Sequence, residues 1–320
     1  MLDVTRLRVL VAVARHGSVT AAARALNYAQ PSVSHHLSRL EAETGALLTQ
    51  RAGRGVRLTD AGRLLAERAE EILGRLDAAE NELAAHVGLR AGRIRLAAFP
   101  SALSTLVPMA AARLEAENPG LDLTLAEAEP PEALRMLRAG YVDVALVFRH
   151  YQDGATVSTP GDTDEGTRSR LLLDDPIHLV TRAATGTDAR PPRGAGEPPL
   201  PPWPDLADYA EYRWIGGCER CRGYLVWQCE LAGFSPKISF TTDDFVAVQA
   251  LVAAGLGITT LPGLALRAAR HPGIQAAPLP GSHRQVLAMT YGEAPEQPAV
   301  ARLLDVLSVT AGAERPTVPA

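Results

Sequence analysis

The feature that most constrains this 320-residue chain is one long segment with a single heptad stripe, residues 60–87. Its apolar side chains recur in steps of four and three residues, at Leu65, Ala69, Ile72, Leu76, Ala79 and Leu83. This spacing predicts one helix of roughly 40 Å whose narrow apolar face needs a partner. We expect that partner to be the same helix of a second subunit; packing onto its own domain is the alternative. The helix separates a small N-terminal unit from a large C-terminal one.

The N-terminal unit has the pattern of three short helices followed by a β-hairpin. Apolar periodicity predicts a helix over 5–15, a second one from Thr20, and a third that begins near Gln30 and ends at Gly45. The third helix places three aliphatic residues on one face, at Val33, Leu37 and Leu40. The segment 51–59, RAGRGVRLT, combines two glycines with a short Val-Arg-Leu alternation, which indicates a hairpin or wing.

Charge is distributed unevenly between the two units. Residues 1–60 hold eight arginines and four acids, a net of +4 (8 − 4), whereas the remainder holds 24 basic and 32 acidic residues, a net of −8 (24 − 32). This asymmetry predicts that only the N-terminal unit meets a polyanion. With three cysteines, no apolar run of membrane-spanning length and no signal peptide, we expect a cytoplasmic protein that does not contact a membrane.

From about residue 93, short apolar strands alternate with helices up to about residue 309, and the last two strands are expected near 274–279 and 284–291. The alternation predicts an α/β unit with helices on the faces of a mostly parallel sheet, with loops at 151–170 and at the proline-rich 185–205. Ligands of such sheets bind beyond the carboxyl ends of strands, where the candidates are Ser101, Phe148, Arg149, Gly217 and Thr242. Ser101 and Thr242 lie near predicted helix N-termini, which favour an anion; ordinary capping is the alternative for each.

Two cysteines form a C-x-x-C sequence, Cys218 and Cys221, at a predicted strand-to-helix turn. This pair is typical of a redox site or of half a metal site. No second C-x-x-C and no nearby histidine supply further ligands, so we expect no metal. Small residues packed at a turn are the alternative interpretation.

Residues 7–65 resemble the winged helix-turn-helix of LysR-type transcriptional regulators. The matching positions are Arg15, Gly17-Ser18, Ala22-Ala23, Leu26, Gln30-Pro31, Ser34, Leu40-Glu41, Gly45, Leu48, Arg51, Arg57-Leu58-Thr59 and Gly62. A second stretch, LVAAGLGITTLP at 251–262, is similar to part of the family's effector domain. The chain departs from the family at His35, where a stronger cation is common, and at Thr49, where an aromatic residue is usual.

The resemblance implies a fold class and a domain plan. The fold is α/β: an N-terminal winged helix-turn-helix and a long linker helix, followed by a two-lobed α/β effector-binding domain. The expected segments are the DNA-binding domain at 1–59, the linker and dimerisation helix at 60–90, the effector domain at 91–310 and a flexible tail at 311–320. Lobe I then takes about 91–150 and 284–310, and lobe II about 170–280.

The resemblance also implies partners and contact residues. Double-stranded DNA, in the form of a pseudo-palindromic operator, is contacted by the third helix and the wing. The expected DNA-binding residues are Gln30, Pro31, Ser32, Ser34, His35, Ser38, Arg39, Arg51 and Arg54. Gln30 suits the adenine edge, His35 can donate to guanine, and the wing arginines can follow the backbone. A small-molecule effector binds between the lobes, and the chain assembles as a dimer and further as a tetramer.

The predicted function is therefore a sequence-specific, effector-controlled regulator that is not an enzyme and needs no cofactor. His35 and His36 are adjacent on a helix and diverge by about 100°, so they do not form a metal pair. Two alternatives stay open: a thiol-sensing regulator that uses Cys218 and Cys221, and a ligand-binding protein whose N-terminal unit serves only for assembly.

Overall fold

The computed structural model describes residues 2–52, 55–86, 92–157, 166–183 and 205–313. Its N-terminal unit contains α1 (Val4–His16), α2 (Val19–Ala25), α3 (Gln30–Thr44), β1 (Thr49–Ala52) and β2 (Gly55–Leu58). The two strands pair antiparallel as the predicted wing. Three helices and a wing follow the sequence pattern closely.

Local chemistry sets the ends of these helices. The Asp3 carboxylate accepts a hydrogen bond from the Arg6 amide at the start of α1, and the Ser18 hydroxyl accepts one from Ala21 at the start of α2. Gly17 and Gly45 end α1 and α3 with φ of 65° and 67°, a left-handed conformation that glycine adopts without steric cost.

The third helix is anchored to the wing by one carboxylate. Glu41 Oε1 accepts hydrogen bonds from the amides of Leu48 and Thr49 at 2.9 and 3.0 Å, and from the Thr49 hydroxyl at 3.1 Å. Thr49 therefore holds the wing through a polar contact, where the resembled family uses an aromatic residue. The inner face of α3, with Val33 and Leu40 fully buried, packs into the core of the unit.

The linker helix α4 (Asp60–His86) has a buried and an exposed part along its length. Ala69 and Leu73 are buried against the N-terminal unit. On another face of the helix Ile72 is 43% exposed, and further along Leu76 and Leu83 are 37% and 65% exposed. The heptad stripe thus packs on its own domain at one end and leaves apolar side chains uncovered at the other.

The C-terminal unit is built from nine strands and seven helices among its described residues. The strands are β3 (Arg93–Ala98), β4 (Asp122–Glu127), β5 (Val144–Gln152), β6 (Ala155–Val157), β7 (Thr167–Arg182), β8 (Arg213–Gly216), β9 (Lys237–Thr241), β10 (Thr259–Pro262) and β11 (Ile274–Tyr291). The helices are α5 (Pro100–Leu103), α6 (Leu106–Glu117), α7 (Pro130–Arg138), α8 (Glu219–Leu231), α9 (Phe245–Ala253), α10 (Gly263–Ala268) and α11 (Pro298–Ala313), with a 3₁₀ turn at Leu206–Tyr209.

Two long antiparallel strands connect the two lobes. The main sheet has the order β10-β7-β11-β5-β3-β4, with β6 on β5, while β8 and β9 form a parallel pair. A bridge between Trp214 and Ile258 connects that pair to the region of β10. The sequence pattern predicted two strands near 274–279 and 284–291, but β11 is one strand with a register shift between Pro278 and His283.

Each lobe has its own apolar core. In lobe I, Leu96, Leu146 and Leu303 are buried together, and in lobe II Trp214 and Leu225 are buried together. Part of the predicted loop at 151–170 is strand, because β5 runs on to Gln152 and β7 begins at Thr167. None of the helices in the described ranges is both long and apolar enough to cross a bilayer.

Candidate DNA-binding face and effector cleft

One face of α3 is polar and open to solvent. Six of the seven predicted contact residues on α3 are exposed, and the seventh, Ser34, is half-buried. The exposed residues are Gln30, Pro31, Ser32, His35, Ser38 and Arg39. The Gln30 amide donates to the Ser34 hydroxyl at 3.4 Å, so the two share this face. Arg51 lies on β1, and Arg54 falls outside the described residues.

A narrow cleft lies between the two lobes and encloses about 50 Å³. Its walls include Phe99, Ser101, Glu129 and Phe148 from lobe I, Gly217, Cys218, Cys221, Thr242, Asp243 and Phe245 from lobe II, and Arg284 from β11. Four of the five residues predicted at strand ends line this cleft, together with both cysteines of the C-x-x-C sequence. The two lobes therefore lie close together in this conformation.

A buried ion pair forms the floor of the cleft. Arg284 and Asp175 are 2% and 0% exposed and lie opposite each other on β11 and β7. The Arg284 Nε donates to Asp175 Oδ2 at 2.9 Å, and another guanidinium nitrogen donates to the Ser101 hydroxyl at 2.7 Å. The guanidinium also lies over the rings of Phe99 and Phe148, 4.9 and 4.6 Å from their centroids. The positive charge of Arg284 is thus balanced by Asp175 within the protein.

The arrangement around Ser101 and Thr242 differs from the predicted capping. Ser101 lies inside the short helix α5 and accepts a hydrogen bond from Arg284, so it does not cap the following helix. At α9 the capping residue is Asp244, whose carboxylate accepts from two amides, while Thr242 accepts from the Asp244 amide at 3.3 Å. Neither hydroxyl is accounted for by helix capping alone.

Arg149 is the predicted site residue that does not line the cleft. It follows Phe148 on β5, and successive side chains of a strand point to opposite faces. The prediction placed Arg149 at a strand end, but β5 continues to Gln152, so Phe148 faces the cleft and Arg149 faces away. The arginine at the cleft is Arg284, which the sequence reasoning missed.

One further ionisable residue of the cleft, Glu129, was also missed, as were two buried basic residues close to Arg284. Glu129 comes just before α7; its Oε2 atom is buried and has no hydrogen-bond partner among the described residues, and burial raises the pKa of this carboxyl group. Arg220, on α8, is buried and donates to the Phe148 carbonyl at 3.3 Å. His150, beside Arg284 in the sheet, has a pKa well below its ordinary value because of burial, with Arg284 and Arg220 adding to the effect.

The two cysteines of the cleft are reduced and in contact. Their Sγ atoms are 3.0 Å apart, and Cys218 caps α8 by accepting from the Cys221 amide. The hydrogen bond with Cys221, reinforced by burial, raises the pKa of Cys218. Across the described ranges, no three His, Cys, Asp or Glu side chains are arranged to hold a metal ion.

The chain combines a winged helix-turn-helix, a long connecting helix and a two-lobed α/β unit with a polar cleft. This combination is typical of one class of protein, the ligand-responsive DNA-binding regulators. Family models agree: residues 4–63 match the bacterial regulatory helix-turn-helix protein, lysR family, and residues 88–311 match the LysR substrate binding domain. The chain belongs to the LysR family of transcriptional regulators.

Individual relatives span nearly the whole chain. The probable transcriptional regulator LrrA of Synechococcus elongatus is 29% identical over 319 residues, 99% of this chain and 100% of that protein. The regulator CfxR of Cupriavidus necator is 30% identical over 270 residues, 83% of this chain and 78% of that protein. The crystal structure of full-length CbnR with its target DNA shares the fold, with a TM-score of 0.64 at 21% identity, over 97% of this chain and 100% of that one.

Proposed function

We propose that this LysR-type regulator reads its operator with α3 and the wing, and that a small uncharged molecule in the cleft controls that binding. The observation that carries the proposal is the pairing of an exposed polar helix face with a buried polar cleft in one chain. Winged helix-turn-helix proteins place the N-terminal part of this helix in the major groove.

The chemistry of α3 supports specific roles for its residues. Gln30 lies at the N-terminal end of α3, where its amide suits adenine, and the exposed His35 imidazole can donate to guanine N7 or O6. Ser32, Ser34 and Ser38 are short enough for close approach and suit phosphate oxygens. Arg39, Arg51 and Arg54 are assigned to the phosphate backbone.

The cleft supports an effector without net charge. Arg284 is already neutralised by Asp175, and the remaining ionisable groups of the wall include the carboxyls of Glu129 and Asp243, which disfavour an anion. Ser101 and Thr242 offer hydroxyls for orientation. Binding that favours one lobe arrangement shifts the population of conformers and so changes DNA binding.

The remaining assignments complete the proposal. We assign no catalytic activity and no cofactor, because the cleft residues are explained by ligand control. A DNA target supports a cytoplasmic location. The uncovered apolar part of α4 supports a dimer, and the resemblance to the family supports a tetramer built from two dimers.

Selection from a random duplex pool, followed by titration of the full chain at several salt concentrations, tests this function. Gln30→Ala is expected to weaken binding by about 1–3 kcal/mol, or roughly 5- to 150-fold, and to relax the preference at one base pair. His35→Arg is expected to tighten binding and alter preference, with a steeper salt dependence.

The control is Gln275→Ala, which removes an exposed glutamine on β11 and leaves affinity unchanged. If the wild type selects no common sequence, or if Gln30→Ala behaves like the control, the assignment of α3 as the reading helix is wrong.

A further inference from the structure

Two thiols on one wall of the cleft form a chelating pair. The Sγ atoms of Cys218 and Cys221 are 3.0 Å apart, and both side chains line the cleft. Cys218 is the N-cap residue of α8 and Cys221 lies in its first turn, so the start of this helix holds the two sulfurs together. Cys221 is only half-buried, and solvent reaches it. The site therefore offers two adjacent sulfur ligands to a molecule in the cleft.

The number and spacing of the ligands restrict what the pair can bind. A structural zinc ion takes four protein ligands, and within the described ranges no three His, Cys, Asp or Glu side chains are arranged to hold a metal ion. A linear two-coordinate ion such as copper(I) places its sulfurs on opposite sides, which requires a much larger separation than 3.0 Å. A pyramidal three-coordinate centre that keeps one ligand of its own fits the pair, because it holds two sulfurs close together on one side.

The charges around the pair favour a ligand without charge. The carboxyl groups of Glu129 and Asp243 line the same cleft, and the guanidinium of Arg284 is already part of an ion pair. The hydrogen bond with Cys221, together with burial, raises the pKa of Cys218, so this thiol stays protonated at neutral pH. A ligand of this site is therefore uncharged and carries leaving groups that take up the thiol protons.

One buried oxygen of the same cleft lacks a hydrogen bond. The Oε2 atom of Glu129 is inaccessible to solvent and has no partner among the described residues, which is costly for a polar group. Glu129 is close enough to Cys218 for its charge to add to the raised pKa of that thiol. Burial raises the pKa of the Glu129 carboxyl group itself. A hydroxyl group on the ligand suits both forms of this carboxyl, because it donates to a carboxylate and accepts from a carboxylic acid.

We propose that the cleft binds a trivalent metalloid hydroxide, such as arsenous acid, through the sulfurs of Cys218 and Cys221, and that this adduct is the effector state of the regulator. Arsenous acid is uncharged at neutral pH, pyramidal and thiophilic, and it retains one hydroxyl group when two sulfurs replace the others. It therefore matches the sulfur spacing, the charge of the walls and the unpaired oxygen of Glu129. The inference names the chemical class of the effector, and its regulatory part rests on the proposed function.

The reaction is an exchange of ligands without oxidation. The Cys221 sulfur bonds to arsenic, one As–O bond breaks, and the leaving hydroxide takes the thiol proton and departs as water. The Cys218 sulfur repeats this step with a second hydroxyl group, which leaves arsenic bonded to two sulfurs and one hydroxyl. Arsenic stays trivalent, two water molecules are released, and no oxidant or reductant takes part. An excess of a small vicinal dithiol reverses the reaction by taking over the arsenic atom.

Binding is tested with sodium arsenite and the reduced full-length chain, which carries three free thiols, at neutral pH. Native mass spectrometry should show one arsenic atom per chain, and alkylation should show two protected thiols that a small vicinal dithiol releases. Cys218→Ser and Cys221→Ser should each bind roughly 100-fold more weakly or worse, because a single bond replaces a chelate. Cys229→Ala removes the third, buried thiol and is the matched control, with unchanged affinity.

Several results would overturn the inference. The first is a wild type that takes up no arsenic under conditions that load a C-x-x-C peptide in the same buffer. The others are single variants that bind as tightly as the wild type, a requirement for Cys229, and arsenic that only bridges two chains.

The contact with Glu129 has its own test. Glu129→Leu removes the oxygen and should weaken the binding of arsenous acid by about 2- to 12-fold, the worth of one hydrogen bond. Monomethylarsonous acid keeps a methyl group as its third ligand and has no hydroxyl left once both thiols are bound, so its affinity should not fall in this variant. Equal losses for the two probes, or no loss for either, would overturn the contact.

A separate measurement covers the regulatory consequence. Arsenite should change the affinity of the wild type for its selected duplex by about 5-fold or more, with the same change in Cys229→Ala and none in Cys218→Ser. If arsenic binds and the DNA affinity stays the same, its role as effector is refuted and the regulator function stands. If the chain binds no duplex with or without arsenite, the proposed function fails while the thiol chemistry stands.

Discussion

The buried pair of Asp175 and Arg284 allows the sharpest prediction about stability. Asp175→Asn keeps the shape of the side chain and an oxygen for the Leu264 amide, which donates to Asp175 Oδ1 at 2.9 Å. It removes the negative charge, replaces the Oδ2 acceptor of the Arg284 Nε–H group with an amide NH2, and so leaves the Arg284 guanidinium buried without a counter-charge. Arg284→Met is the complementary change, since it leaves a carboxylate whose next basic neighbour, Arg267, is 3.9 Å away.

The magnitude follows from burial. Because both side chains are almost fully inaccessible, Asp175→Asn leaves an uncompensated buried guanidinium, which costs about 3–5 kcal/mol. Arg284→Met costs less than this, since Arg267 still lies 3.9 Å from the remaining carboxylate. The double variant buries no charge and loses only the hydrogen bonds to Asp175 and Ser101, so we expect it to be more stable than either single variant, within about 2 kcal/mol of the wild type. The coupling energy is therefore expected to be several kcal/mol.

Urea unfolding followed by tryptophan fluorescence is a suitable assay, because Trp214 and Trp227 both lie in lobe II. The midpoint should fall strongly in each single variant and recover in the double variant, with little change in slope. Losses below about 1 kcal/mol in both single variants, or a double variant that loses their sum, would refute the reasoning that the pair is buried and mutually compensating.

Two further predictions concern pH and assembly. The unfolded chain protonates His150 near pH 6.5, whereas the folded chain, with its lowered pKa, does not; stability should therefore fall by up to about 1.4 kcal/mol per pH unit below that pH. His150→Phe should flatten this dependence in urea titrations, and an unchanged slope would contradict it. The double variant Leu76→Glu, Leu83→Glu should weaken self-association measured by sedimentation. The control Leu231→Glu, at an exposed apolar residue of α8, should leave self-association unchanged. Equal behaviour of the two variants would contradict a dimer contact through α4.

Elements governed by local sequence were predictable. The ends of α1 and α3 follow from Gly17 and Gly45, and the burial of Val33 and Leu40 follows from helical spacing alone. The single strand β11 was predicted as two strands. It contains Pro278 and Gly281 near its middle, and these residue types usually indicate the end of a strand. Antiparallel pairing with β7 on both sides of this irregularity keeps the segment in one strand. Such long-range pairing cannot be predicted from the local sequence.

The candidate cleft was predictable in position but not in charge. Residues after strand ends point to one edge of a sheet, which is why Ser101, Phe148, Gly217 and Thr242 came together. The electrostatic centre was missed because Arg284 and Asp175 are 109 positions apart and meet only through strand register. A signal was present nonetheless, since Asp175 alternates with the apolar Leu173 and Ile177 on one face of β7, where an unpaired charge is not tolerated.

The position of α7 shows how a small change in the cleft can reach the DNA-binding unit. Its first turn follows Glu129 at the cleft, while Arg135 near its other end donates to Glu70 of α4 at 2.7 Å. Glu70 also accepts from Arg15 of α1 at 3.0 Å, so one carboxylate joins the effector domain, the linker and the helix-turn-helix. The chain after α7 also packs closely against α4: a Cβ on Gly74 would lie 1.2 Å from the backbone oxygen of Ala139. This close packing leaves no space for α7 to move toward α4. Because α7 is a short rigid rod with the cleft at one end and the linker helix at the other, a shift at the Glu129 end must either be absorbed within its nine residues or displace these contacts.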